Sequence, residues 1–389
     1  MADAARRLLG SRIRGGLVVL RQAQDDPEHG RSGASAAPDA VPSPFEVIAG
    51  GHPVPTPGSE QAGRRALAIA GALRADEILL VLLSGGASAL MAVPAAGVTL
   101  DDKRATTEVL LRAGADIHAL NAVRKHVSAI KGGWLAAGAP GACRTFAVSD
   151  VVGDDLSAIA SGPTVADSTT FGDALDILRR FGGEAAYPRA VVARLAGGAR
   201  GDPPETPKPG DRRLVHAAAA VIGGRRDAMD GAARVAQTLG YHVVRIDHPV
   251  VGEARVAAPS HLGAVVARAA GVARPACIVS SGETTVRVTG RGKGGRNQEF
   301  ALASAASLAS LSGAAAVASV GTDGVDGPTD AAGAIVDPTT VERARSAGLS
   351  PDAFLDDNNA YAFFSALGDL IHTGPTDTNV GDLQIILLA

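Results

Sequence analysis

Aromatic residues make up only 3% of this 389-residue chain, so its core must be packed mainly with Ala, Val, Leu and Ile. There are two cysteines, Cys143 and Cys277, each beside an apolar run. The expectation is two buried free thiols in a reducing compartment, not a disulfide. No apolar run approaches the roughly 18 residues of a membrane span, and no secretory signal is recognisable. Positive charge is not in excess: 37 Lys and Arg stand against 40 Asp and Glu, a net charge of −3. No general field therefore draws nucleic acid or a membrane surface. The nine histidines do not stand in metal-ligand spacing with cysteine. A Walker A loop, a G-x-S-x-G elbow and an EF-hand loop are all missing. What remains is a soluble cytoplasmic protein whose partners are small molecules.

What the chain has is glycine, 48 residues of it, and a repeated arrangement. Four apolar, strand-like runs empty into loops of Gly, Ser, Thr and acid. Ile78–Leu83 leads to SGGASAL (84–90), Thr145–Val148 to SDVVGDD (149–155), Cys277–Val279 to SSGETT (280–285), and Ala314–Val320 to GTDGVDGPTD (321–330). The carboxyl ends of strands in an open α/β sheet are where ligands bind. Strand and helix patterns alternate on both sides of a Pro-, Gly- and charge-rich stretch at 198–213. The fold class expected is α/β with two domains of largely parallel sheet, 1–205 Rossmann-like and 206–389 a second α/β domain. Residues 21–44 read as a long surface loop, Ser59 as a helix cap, and 121–131 as a helix ending at Gly132-Gly133.

Each motif carries a bland alternative. Ser84, Gly85, Gly86 and Ser88 can present backbone N–H groups to a phosphate or carboxylate, or can form a plain βα turn. In NAVRKHVSAIKGG (121–133), helical spacing puts Val123, Val127 and Ile130 on one stripe and Arg124, Ser128 and Lys131 on another. The plain alternative is a solvated charged face; that no acid accompanies those cations strengthens the case for an anion site beside it. His126 reads as structural. Asp150, Asp154 and Asp155 can hold Mg²⁺ or take a proton from a hydroxyl, or can cap the next helix. Gly290, Gly292 and Gly295 satisfy G-x-G-x-x-G, a dinucleotide pattern. However, the next candidate ribose-binding acid, Asp323, lies too far along the chain. Arg291, Lys293 and Arg296 also give more positive charge than a pyrophosphate needs and suit a transferring phosphoryl group better. Asp323 is the favoured acid, with Asp326 and Asp330 shaping its loop. TGPTDTNVGDL (373–383) can hold a phosphate or form Asx-turns.

SGGASALM, NAVRKHVSAIKGG, SDVVGDDLSAIASGPTVADSTTF, GETTVRVTGRGKGGRNQEFALA, GTDGVDGPTDAAGA and TGPTDTNVGDL together resemble the class II glycerate kinases, whose C-terminal domain is the MOFRL domain. Relatives often carry the name hydroxypyruvate reductase. The resemblance covers about residues 46–389. It implies ATP-dependent phosphorylation of D-glycerate to 2-phosphoglycerate, with Mg²⁺, in a cleft between the two domains. On this resemblance Arg296, Asp323 and Asp150 are expected to be catalytic, with Asp150 and Asp154 at the metal. Ser84, Gly85, Gly86, Ser88, Asn121, Arg124, Lys131, Glu283, Thr284, Lys293, Gly294, Gly295, Asn297, Thr376 and Asn379 are expected to bind substrate or nucleotide. A homodimer is a further expectation. The chain departs from the family at its start. Met1-Ala2-Asp3-Ala4-Ala5 aligns just after a Gly-Lys-Ala-Ala motif whose lysine is implicated in catalysis, so a lost first strand and impaired turnover are expected. Thr56, Asp357-Asn358-Asn359 and loop 21–44 also differ from the family pattern. The alternatives are a nicotinamide-dependent hydroxypyruvate reductase and a silent glycerate-binding relative.

Overall fold

The computed structural model describes residues 1–22, 44–311 and 313–389, and the loop expected at 21–44 falls almost wholly outside them. The chain divides into two compact units, Met1–Ala147 with Asp154–Ile222, and Val148–Gly153 with Gly223–Ala389. The stretch 198–213 lies inside the first.

The first unit contains α1 (Ala2–Leu9), β1 (Gly16–Arg21), β2 (Phe45–Gly50), α2 (Pro57–Gly71), β3 (Ile78–Leu83), α3 (Ala87–Leu90), α4 (Leu100–Arg112), α5 (Ile117–His126), α6 (Trp134–Ala137), β4 (Ala142–Val148), α7 (Phe171–Arg180), α8 (Arg189–Ala199) and β5 (Ala217–Gly223). β1 pairs with β2 in parallel. β3, β4 and β5 form a second sheet in that order, with β3 and β4 parallel and Ile78 opposite Ala142. Helices pack its core: Leu110, Val123, Phe171, Leu178, Val191 and Leu195 are fully buried. Phe171 is the one phenylalanine among these fully buried residues, with Phe181 partly buried against them.

Two local readings need correction. Pro57 opens α2 behind Thr56, a favoured place for proline because its missing N–H would be unpaired there anyway. Ser59 therefore lies inside the first turn, where its hydroxyl accepts the N–H groups of Thr56 at 3.0 Å and Gly51 at 2.9 Å. The helix expected at 121–131 starts earlier and stops at His126. Beyond it, long-range bonds outcompete helical ones. Ala95 N–H donates to Val127 O at 3.1 Å and Ala129 N–H to Val93 O at 3.0 Å. Ser128 Oγ also donates to Val93 O at 3.0 Å. Ser128 and Lys131 thus do not share a helix face with Arg124.

The second unit contains α9 (Arg225–Thr238), β6 (His242–Glu253), α10 (Ala254–Arg268), β7 (Ala276–Thr285), α11 (Arg296–Ala309), β8 (Ala315–Gly321), β9 (Gly333–Val336), α12 (Thr340–Ser346), α13 (Pro351–Asp356), α14 (Ala360–Leu367), β10 (Leu370–Ile371) and β11 (Asp382–Leu388). Its six-stranded sheet has the order β10-β9-β8-β11-β7-β6. β6 and β7 are parallel, and β11 is antiparallel to both β7 and β8. β6, β7 and β8 therefore all run one way, as alternation with helices implies. The sheet is nonetheless mixed, because β11 inserts between β7 and β8 against their direction, and β9 follows β8 without a crossover helix. Phe300, Leu308, Ile278, Val317, Phe363, Phe364 and Ile386 fill the core.

Candidate active site

The parallel run of β7 and β8, with β11 reversed between them, gathers acids at one end of the second unit's sheet. In register, Asp382 at the start of β11 stands between Gly282 on β7 and Gly321 on β8. Glu283 follows Gly282, and Thr322 and Asp323 follow Gly321. α11 begins at Arg296, which comes to meet this row.

Arg296 is gripped on two sides. Its Nε lies 2.8 Å from Asp382 Oδ2, and its Nη2 donates to Asp382 Oδ1 at 3.1 Å. Its Nη1 donates to Glu283 Oε1 at 2.9 Å. Burial works against the guanidinium's charge, but Asp382 and then Glu283 outweigh it and raise its pKa above the usual value. Burial pushes Glu283 up, the Asp150 charge adds to this, and Arg296 opposes it. Asp150 is raised in the same way, by burial first and by Asp323, against Arg296. Asp382, with a side chain that is 0% exposed, is raised by burial against the pull of Arg296 and Asn297.

The loop 373–381 closes over the same end. Asn379 Nδ2 donates to Asp150 Oδ2 at 3.1 Å. Thr376 Oγ1 donates to Thr322 O at 2.5 Å, and Thr376 N–H to Asp323 O at 3.1 Å. Thr322 Oγ1 donates to Gly381 O at 2.6 Å. Asp150, Glu283, Arg296, Asp323, Thr376 and Asn379, far apart in sequence, are therefore brought to one place. Thr284 is buried on β7, where it pairs with Gly252 of β6.

The glycine-rich stretch 290–295 has a different use from a nucleotide cradle. The N–H groups of Thr289 and Gly290 donate to Asn358 Oδ1 at 2.7 and 2.8 Å. Arg291 N–H goes to Asp357 Oδ1, Gly292 N–H to Asp357 O and Lys293 N–H to Asn359 Oδ1. A Cβ at Gly290 would stand 2.3 Å from the Asp357 backbone, and one at Gly292 would stand 2.2 Å from Asn359 Cβ. Gly294 lies against Ala360. The glycines thus let the chain approach itself, and the N–H groups of Gly290 and Gly292 are already paired within the protein. Two of the three glycines of the dinucleotide pattern are therefore taken by the chain's own backbone. Lys293 Nζ sits 5.5 Å from the centre of the Tyr361 ring.

Sequence reasoning missed two residues. Asp326, read as a loop shaper, is 2% exposed and accepts the N–H groups of Asn297 and Gln298 at 3.0 and 2.8 Å. Burial lifts its pKa to about 6 against those bonds. Gly295 is where it comes close, since a Cβ there would meet Asp326 at 2.3 Å. Asp382 was not singled out at all. Its signal, an acid at the start of the last strand after TNVG, has meaning only once β11 is known to be central.

In the first unit, Ser84, Gly85 and Gly86 follow β3 as expected, with Gly86 left-handed at φ 80°. The helix they lead into is four residues long, too short to build a strong dipole. Ser88 Oγ lies 2.9 Å from Ser161 Oγ, and Ser161 Oγ donates to Asn121 Oδ1 at 2.9 Å. Lys131 Nζ lies within reach of Ser88 O, Ser88 Oγ, Ala160 O and Met91 O, at 2.8 to 3.5 Å. Its donors are taken by the protein. Burial, then the charges of Lys103 and Arg124, hold its pKa well below the usual value. Arg124, lowered to about 10 by burial, makes no hydrogen bond or ion pair among the described residues. His126 is structural, with Nδ1 2.7 Å from Ala122 O and Nε2 3.1 Å from Glu205.

Asp154 belongs to the first unit and Asp150 to the second. Asp155 accepts Ser157 N–H at 2.8 Å, the Asx-turn alternative. Among the described residues no group of three or more His, Cys, Asp or Glu side chains could hold a metal ion.

Residues 1–196 match the domain of unknown function DUF4147, and residues 276–382 match the MOFRL family. The chain is 41% identical to the glycerate 2-kinase of Pyrococcus horikoshii over 88% of its own length and 78% of that protein's. It is 43% identical to a protein of Agrobacterium vitis named for hydroxypyruvate reductase, over 90% of this chain and 79% of the relative. The crystal structure of a glycerate kinase from Thermotoga maritima superposes with a TM-score of 0.85 at 37% identity, covering 100% of this chain and 88% of that one.

Proposed function

Because the chain belongs to the glycerate kinase family that joins a DUF4147 domain to a MOFRL domain, we propose that it transfers the γ-phosphoryl group of ATP to the 2-hydroxyl of D-glycerate. The products are 2-phosphoglycerate and ADP. The observation that carries this reading is the doubly held Arg296, a half-buried cation among strand-end acids. Phosphoryl transfer asks little covalent chemistry of the protein; it needs charge neutralisation and positioning. Arg296 neutralises charge on the transferring group, with Lys293 as a second cation. Asp323 orients the 2-hydroxyl and takes its proton as the new P–O bond forms and the bond to ADP breaks.

The residues fit Mg²⁺. Asp150 and Glu283 are two carboxylates whose raised pKa values reflect burial near one another. Mg²⁺ typically takes one or two carboxylates, waters and substrate phosphates and needs no closed protein cage. Asp150, with Asn379 fixing its orientation and Glu283 in support, would hold it. Bound there, the ion supplies positive charge to the phosphate oxygens. Thr284, Gly294, Gly295, Asn297 and Thr376 serve this site by setting backbone position. In the first unit we assign Arg124, a cation without a partner among the described residues, to binding an anionic group. Ser84, Gly85, Gly86, Ser88 and Asn121 shape the loop beside it, and Lys131 pins that loop.

A coupled ADP-release assay with D-glycerate and MgATP tests the reading. Arg296→Ala should lower kcat by about 10²–10³, as loss of one charge-stabilising donor does elsewhere. Turnover equal to the parent's would remove the role given to Arg296. Oxidation of NADH in the presence of hydroxypyruvate, and no ADP release, would replace the kinase with the reductase.

A further inference from the structure

Arg296 has one partner that fixes it and another that only touches it. Asp382 meets the guanidinium through both carboxylate oxygens, at 2.8 and 3.1 Å. Glu283 meets one nitrogen through one oxygen. The Asp382 side chain is 0% exposed and that of Glu283 is 40% exposed. Two-point pairing defines the plane of a guanidinium, whereas one-point pairing leaves it free to swing.

Asp382 is itself immobilised. It lies on β11, with β7 and β8 hydrogen-bonded on either side. Its Oδ1 also accepts Asn297 Nδ2 at 3.0 Å. Asn297 is held in turn, because its Oδ1 accepts Ser319 Oγ at 2.6 Å and its Nδ2 lies 3.3 Å from Asp326 Oδ1. A continuous set of hydrogen bonds thus runs from Ser319 of the sheet, through Asn297 and Asp382 Oδ1, to Nη2 of Arg296, with Asp382 Oδ2 in ionic contact with Nε beside it. The Nη1 side is left turned toward Glu283 and the acids where a phosphoryl group would arrive.

We propose that Asp382 is a positioning residue for phosphoryl transfer: it orients Arg296 from beneath and touches neither substrate. The inference rests on the reading of Arg296 given above. A buried ion pair can equally exist for folding alone, so the test must separate aim from charge.

The experiment measures kcat and KM for D-glycerate and MgATP in the full chain and in Asp382→Asn, Asp382→Glu, Arg296→Ala and Arg296→Ala/Asp382→Asn, with unfolding curves for each. Asp382→Glu keeps the buried charge pair but moves the carboxylate by one methylene, so it remains informative if Asp382→Asn does not fold. Both single variants should lose about 10- to 100-fold in kcat with KM for D-glycerate within about twofold. In the Arg296→Ala background, Asp382→Asn should cost almost nothing further, because the two act as one unit. Parent-like kcat in Asp382→Glu would overturn the positioning role, as would an Asp382→Asn loss of equal size with and without Arg296. Arg296→Ala with normal turnover, or no ADP release from the parent chain, would instead bring down the reading of Arg296 and this inference with it.

Discussion

The Asp326 carboxylate accepts the backbone N–H of Asn297 at 3.0 Å, so a side chain from the loop after β8 caps the helix that begins at Arg296. The start of that helix, which could otherwise receive an anion, is closed by the protein's own acid. Two of the motifs read from sequence, GRGKGGRNQEF and GTDGVDGPTD, are thereby one structural object.

The cap has a pH signature. Asp326 is raised to about 6 in the folded chain, against roughly 3.9 for an unperturbed aspartate. The folded state therefore binds this proton more tightly than the unfolded state. Its contribution to stability should grow as pH falls from about 7 toward 4, by at most about 1.4 kcal/mol per unit. Asp150, Glu283 and Asp382 are raised too and act in the same sense. Asp167, against its own burial, is lowered by Lys125 and Thr169, and Glu205 by Phe171 N–H and Lys208. Their contributions are present above the ordinary carboxylate range and are lost as pH falls through the lowered values. His261, lowered to about 4 by burial, and His52, also lowered by burial, act in the opposite sense below about 6.5. The Asp326 contribution is therefore read as the Tm of the parent minus that of Asp326→Asn, which should grow as pH falls from about 7 toward 4; a difference that does not change with pH would remove this role from Asp326.

Metal dependence should follow Asp150 and, less strongly, Asn379. At saturating nucleotide, Asp150→Asn should raise the Mg²⁺ concentration for half-maximal rate by at least about 10-fold. Asn379→Ala should raise it less, as loss of an orienting partner does at other metal sites. Identical Mg²⁺ titrations for parent and Asp150→Asn would move the ion to other residues.

Ser161 offers a test of the first unit's loop. It is 0% exposed and left-handed at φ 59°, and its hydroxyl links Ser88 to Asn121. Ser161→Ala keeps the backbone strain and loses both bonds, an expected cost of about 1–3 kcal/mol. Ser161→Gly loses the same bonds but adopts that φ freely, so it should be less destabilised, by about 1 kcal/mol. Urea unfolding of the pair checks the order, and the reverse order would mean that the strain is not carried there.

Gly282 and Gly263 should respond oppositely to alanine. A Cβ at Gly282 would stand 1.9 Å from Val250 O, where β7 meets the irregular part of β6, while at Gly263, inside α10, it would meet nothing within 4 Å. Gly282→Ala should destabilise by about 3 kcal/mol or more. Gly263→Ala should stabilise by about 0.5–1 kcal/mol. Denaturation midpoints of the two variants decide this.

Much of this was legible in the residues. Glu283, Asp323 and Asp150 were marked because each follows an apolar run, and local order of that kind survives folding. β3 matched residue for residue. Asp382 was invisible because its role depends on β11 lying between β7 and β8, a pairing across a hundred residues that no local period encodes. The helix expected to reach Lys131 stopped at His126 because Val93 and Ala95 supplied competing backbone partners from another segment. The glycines of 290–295 satisfy a nucleotide-binding pattern, but what approaches Gly290 and Gly292 is Asp357–Asn359, and only the tertiary structure can tell a ligand from the chain itself.

The place of β11 also bears on how the protein is made. On a ribosome, β7 and β8 emerge long before residues 382–388. Until those residues arrive, the two strands have facing edges with nothing between them, and open edges invite pairing with other chains. The second unit therefore has a window during synthesis in which these two edges are open to mispairing. That window closes in the same event that delivers Asp382 to Arg296, so completion of the sheet and assembly of the candidate site are one step.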